Sequence, residues 1–157
     1  MFKFYKSEYC PSDLTGQVGG NITQYELSGY LGETFAYTVA PPEEYSGAYY
    51  QYRKVFVKNT YSSTSTNTRL WLDAEQHPGQ IAIAIATGQL SNSITGSSNA
   101  PQGVSSWASP QNYSQGILVG TMTSNSSTGV WLRQKLQNIT EPDPYSSLRI
   151  YVGGILN

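Results

Sequence analysis

Apolar and polar side chains alternate along much of this chain, whereas apolar residues at helical spacing are hard to find. Alternation with period two places successive side chains on opposite faces of an extended strand. In Arg53-Lys54-Val55-Phe56-Val57-Lys58, Val55 and Val57 share one face and Lys54 and Lys58 the other. Arg69-Leu70-Trp71-Leu72-Asp73-Ala74 aligns Leu70, Leu72 and Ala74. The run from Gln80 to Ala86 is stricter: Ile81, Ile83 and Ile85 face one way and three alanines the other. The isoleucines are predicted to face a core, and the small second face invites close approach by another layer or chain. Further strands are predicted over 117–122, 129–133 and 148–152, with weaker ones over 22–30 and 34–39.

Turn-forming clusters separate these blocks, among them Pro41-Pro42-Glu43-Glu44, His77-Pro78-Gly79 and Glu141-Pro142-Asp143-Pro144. Seven to eight short strands with such punctuation predict an all-β, antiparallel β-sandwich, Ig-like or jelly-roll-like. One domain spans 1–157, with 1–20 as an N-terminal extension. Residues 88–115 break the pattern, being mostly Ser, Asn, Gln, Gly and Pro around a lone Trp107 and Tyr113. They lie within a longer stretch, from Gln76 to Leu132, that holds no Asp, Glu, Lys or Arg. Uncharged polar groups cost less to desolvate than charges, so the segment is expected to be an arm. It would be mobile in the isolated chain and anchored on a neighbour through Trp107 and Tyr113, and deleting 91–109 would leave a folded sandwich. A long surface loop is the plainer alternative.

Composition narrows the function. The 157 residues suffice for one core, and 13 Tyr, 3 Trp and 4 Phe with a net charge of −1 argue against disorder. Only 12% of residues are charged and the basic ones are scattered, which disfavours nucleic acid as a partner. No apolar run has the length of a signal peptide or a membrane span, so no membrane partner is expected. The single cysteine, Cys10, permits no intrachain disulfide.

Catalytic chemistry is thinly represented. The sole histidine, His77, sits in a His-Pro-Gly turn, and neither a triad nor a metal site can be assembled around it from sequence. Asp73 and Glu75 share a strand face and are the least bland carboxylate pair, though strand-edge solvation explains them equally. Gly16-Gln17-Val18-Gly19-Gly20 lacks the Lys-Ser/Thr ending of a phosphate loop and is predicted to form backbone turns. No enzyme activity, catalytic residue, metal or cofactor is expected. Arg53 and Arg133 each flank an apolar strand and are expected to be structural, their stems packed and their heads paired at an edge. The cluster Tyr45, Tyr49, Tyr50 and Tyr52 fits either an interface or a sugar-stacking platform of an adhesin module.

Two stretches, taken together, resemble a known group. The first runs from Asp13-Leu14-Thr15-Gly16-Gln17-Val18-Gly19-Gly20, through Phe35, Glu44 and Gly47, to Tyr52-Arg53-Lys54-Val55-Phe56-Val57-Lys58-Asn59. The second is Gly129-Val130-Trp131-Leu132-Arg133 followed by Leu148-Arg149-Ile150-Tyr151-Val152-Gly153-Gly154. This combination resembles small virion structural proteins of tailed bacteriophages, with Thr15 to Val18 interposed in the opening Leu-Gly-Gly motif. The resemblance implies a virion component made in the host cytoplasm. A capsid decoration protein bound to the major capsid protein and to lattice neighbours or further copies is the leading reading. A neck, tail or baseplate subunit is the alternative. Interface residues are expected among Trp107, Tyr113, Tyr45, Tyr49 and Tyr50.

Overall fold

The computed structural model describes residues 1–9, 16–27, 49–73, 81–86, 93–95, 99–104, 106–136 and 149–157. The described residues form nine strands: β1 Phe2–Tyr9, β2 Gln17–Glu26, β3 Tyr49–Asn59, β4 Ser65–Asp73, β5 Ile81–Ile85, β6 Ser93–Thr95, β7 Ile117–Met122, β8 Ser127–Leu136 and β9 Arg149–Leu156. A six-stranded sheet runs β5-β8-β3-β1-β2-β6 and a three-stranded sheet runs β7-β4-β9, with every pairing antiparallel. The molecule is an all-β sandwich. The predicted strand over 34–39 lies outside the described residues.

Register decides which face each side chain takes. Val55 pairs with Val130, Arg53 with Leu132 and Ile83 with Leu132, so these residues line one face of the larger sheet. That face meets the inward Leu70 and Leu72 of β4 and Met122 of β7. Ile83 is wholly buried there, and Ile81, Ile85, Ile117, Val119, Ile150 and Val152 pack around the same core. Within the smaller sheet, β4 and β9 approach closely on this side, and a Cβ on Gly154 would collide with the Ser65 and Thr68 hydroxyls.

A second, smaller core lies on the other face of the six-stranded sheet. Here Ala82, Ala84 and Ala86 are buried, and Val18, Tyr52, Ala86 and Trp131 form a cluster with Ile94, Val104 and Trp107 packed against it. The small alanine side chains therefore sit under another layer of the same chain. Part of that cover comes from β2 of the same sheet, whose Val18 joins the cluster and whose Gly19 and Gly20 have φ of 103° and 79°. Left-handed backbone is cheap only for glycine, and the β1–β2 register shifts between Ser7 and Tyr9 at this point. A bulge of this kind bends a strand and increases its twist. The stretch predicted as turns over 16–20 is thus largely the bulged start of β2.

Residues 2–9 are not a peripheral extension. β1 lies between β3 and β2, pairing Phe4 with Val57 and Ser7 with Ile22, and Phe2 and Phe4 pack against the main core. Segment 106–110 corrects the mobile-arm expectation. Ala108 bridges Ile83, with N–H···O distances of 2.8 and 3.1 Å, and the Leu72 N–H donates to the Pro110 carbonyl at 2.7 Å. The Ser109 hydroxyl donates to the Ile81 carbonyl at 2.5 Å. The segment therefore ties the edge of one sheet to the other, and backbone groups at the β5 edge are satisfied within the chain.

Candidate functional site

Two aromatic surfaces emerge on opposite sides of the sandwich. The first lies on the far face of the six-stranded sheet, where β3 contributes Tyr50 and Tyr52, β8 contributes Arg133 and the 106–110 segment contributes Trp107. Tyr52 and Arg133 are register partners. The Arg133 guanidinium carbon is 4.8 Å from the Tyr50 ring centroid and 4.9 Å from that of Trp107. Trp107 and Tyr52 approach to 5.5 Å between centroids. Tyr50, Trp107 and Arg133 are each half-buried, while Tyr52 is buried, and burial pushes its phenol above the usual tyrosine range. A guanidinium held between rings gains cation–π attraction while remaining able to donate hydrogen bonds outward.

The second surface is the outer face of the three-stranded sheet. Trp71 of β4 and Tyr151 of β9 are register partners whose rings stack at 5.5 Å with 11° between planes. Tyr113, from the 3₁₀ turn Tyr113–Gln115, meets the Trp71 ring edge-on at 5.6 Å. Its hydroxyl donates to the Asn67 carbonyl at 3.0 Å and accepts from Asn67 Nδ2 at 3.2 Å. Gly153 lies beneath, and a Cβ there would approach the Trp71 ring to 3.2 Å. Arg69 donates through a terminal guanidinium nitrogen (Nη1) to the Gly116 carbonyl at 2.9 Å, and the Tyr151 hydroxyl reaches Asp73 at 3.5 Å. Leu118 and Ile155, more than half exposed, flank the rings.

A buried cation sits beside the smaller core, on the far face of the six-stranded sheet. Lys54, 1% exposed, donates to the Gly20 carbonyl at 3.1 Å. Its Nζ lies 5.2 Å from the Phe56 ring centroid and 5.4 Å from that of Trp131. Burial pulls its pKa down to about 8. The polar face expected at Lys54 is therefore interior here, because the bulged β2 covers it.

The expected site residues are thus divided. Trp107 and Tyr50 meet at the first surface with Arg133, and Tyr113 belongs to the second, so the two aromatics of the supposed arm anchor on opposite faces of their own domain. For Tyr49 only the backbone is described, and Tyr45, Cys10, His77 and Glu75 lie outside the described residues. Arg53 is not at an edge: it is wholly buried and donates to the Tyr52 carbonyl at 3.0 Å. Arg133 is held by rings. Asp73 is half-buried beside Tyr151, and among the described residues no three of His, Cys, Asp and Glu are grouped to hold a metal ion. Trp71 and Tyr151 were overlooked as site residues, although both occupy outward positions of strands whose neighbours point inward. A large aromatic at such a position is the signal that marks them.

Comparison with known protein families, characterised proteins and solved structures finds no match to this chain.

Proposed function

We propose that this protein is a structural subunit of a tailed-phage virion, and that it decorates the capsid by binding assembled shell proteins. The half-buried stack of Tyr50, Arg133 and Trp107 carries this reading. Tyr, Trp and Arg are the residue types enriched where protein interfaces concentrate their binding energy. The stack is also rigid before binding: its tryptophan is packed into the smaller core and its arginine is clamped between rings, so little side-chain entropy remains to be lost on docking. The motif resemblance in β3, β8 and β9 supplies the virion context. Binding of this kind is mechanical. Modest contacts repeated across a symmetric lattice become collectively long-lived through avidity.

The test is co-sedimentation of the purified chain with capsids stripped of it. Saturable binding at a fixed ratio to the major capsid protein, reduced at least tenfold in affinity by Arg133→Ala, is the expected result. Binding to tails or necks alone would move the subunit within the particle, and no binding to any particle component would overturn the proposal.

A further inference from the structure

We infer that the outer face of the β7-β4-β9 sheet is a carbohydrate-binding site, taking a neutral oligosaccharide across Trp71, Tyr151 and Tyr113. The inference goes beyond the virion reading and uses a different surface. Pyranose rings present a flat patch of polarised C–H groups and a periphery of hydroxyls. Their natural complement is an aromatic surface bordered by planar hydrogen-bonding groups of both donor and acceptor type.

This face supplies both parts. The three rings form a continuous row, with successive centroids 5.5 and 5.6 Å apart. The row is fixed in place. Tyr113 is held at its hydroxyl by two hydrogen bonds with Asn67, and Gly153 lets the indole settle onto bare backbone. Tyr113 is 37% exposed, and Trp71 and Tyr151 are half-buried, so all three retain contact with solvent.

The polar border is equally local. Asp73 stands beside Tyr151, whose hydroxyl reaches it through a long 3.5 Å hydrogen bond, so its carboxylate keeps accepting capacity for sugar hydroxyls. Arg69 uses Nε toward Asn67 at 3.4 Å and Nη1 toward Gly116, which leaves further guanidinium donors. Exposed Asn67 adds an amide. A carboxylate, a guanidinium and an amide around stacked rings suit hydroxyl pairs, which both donate and accept. Arg69 and Arg149, the latter the register partner of Asp73, share this face with the carboxylate, so charges of both signs border the rings and suit a neutral ligand. An extended apolar segment is poorly matched, because it would desolvate them.

The experiment presents the full-length chain to an array of neutral and acidic oligosaccharides, followed by calorimetric titration with cellotetraose and chitotetraose. Retention of neutral glycans is expected, with affinity falling at least tenfold in Trp71→Ala and several-fold in Asp73→Ala. Arg133→Ala, on the opposite surface, should bind as the parent does. Thermal melts establish that each variant is folded; if Trp71→Ala is not, Tyr151→Ala and Asp73→Ala carry the test. Retention of no glycan, retention of acidic glycans alone, or equal binding by the parent and the folded variants would overturn the inference. A chain that decorates capsids yet retains no glycan would refute this site and leave the virion reading standing.

Discussion

Lys54 shows how one residue can carry a measurable electrostatic cost inside an otherwise apolar environment. Its ammonium group is buried between Phe56 and Trp131 and hydrogen-bonded to the Gly20 carbonyl. Aromatic faces and a carbonyl recover part of the hydration it loses, and the remaining deficit appears as a pKa lowered to about 8. The sign of the linkage follows. Below about pH 8 the lysine is charged in both the folded and unfolded chains, and the folded state bears the whole penalty. As pH rises from about 8 toward 10.5, its ordinary value, the folded state has released a proton that the unfolded state still holds. The contribution of Lys54 to stability therefore rises with pH over that window. Urea unfolding at intervals across it should show this rise in the parent and a flatter profile in Lys54→Met. A parent profile no steeper than that of Lys54→Met would contradict the burial assigned to Lys54, since the raised Tyr52 phenol opposes the rise equally in both.

At the level of elements, the 106–110 segment matters more than its composition implies. Its bonds to Ile83 and Leu72 join the edge strand of the larger sheet to the central strand of the smaller, and Trp107 fills the smaller core beside Tyr52. An edge strand with satisfied backbone groups is also shielded from pairing with other chains. Trp107→Ala should remove the anchor and speed amide hydrogen exchange at Ile83 and Leu72 together, while amides within the β3–β8 pairing stay protected. Unchanged exchange at both sites would show that the segment holds without its tryptophan. Strands with aliphatic alternation, such as β5 and β4, were legible because Ile81, Ile83, Ile85, Leu70 and Leu72 repeat at period two. β1 is hidden in the sequence, although Phe2 and Phe4 alternate with Lys3, because Tyr5 and Lys6 break the alternation after a single repeat. β2 was read only from its second half, since two glycines at positive φ look like a turn in sequence and here make a bulge. The destination of Trp107 was illegible for another reason: nothing local distinguishes an anchor for a partner from an anchor for the domain's own second core.

On the scale of the whole molecule, a larger and a smaller core leave two aromatic surfaces facing away from each other. Such an arrangement suits a module that docks through one side and presents the other outward. The Tyr50–Arg133–Trp107 stack is assigned to the docking side and the Trp71–Tyr151–Tyr113 row to the presented side. The outward pair Trp71 and Tyr151 could be read from the parity of their strands, but its union with Tyr113 could not, because that contact depends on the turn preceding β7. The proposed role as a structural part of a virion fixes how many copies of the chain each particle must carry, so copy number in purified particles tests it. Quantitative mass spectrometry of particles produced from the genome encoding it should find a fixed ratio to the major capsid protein, set by a symmetry site of the shell. Absence from the particles, or a variable trace amount that further purification removes, would contradict the account.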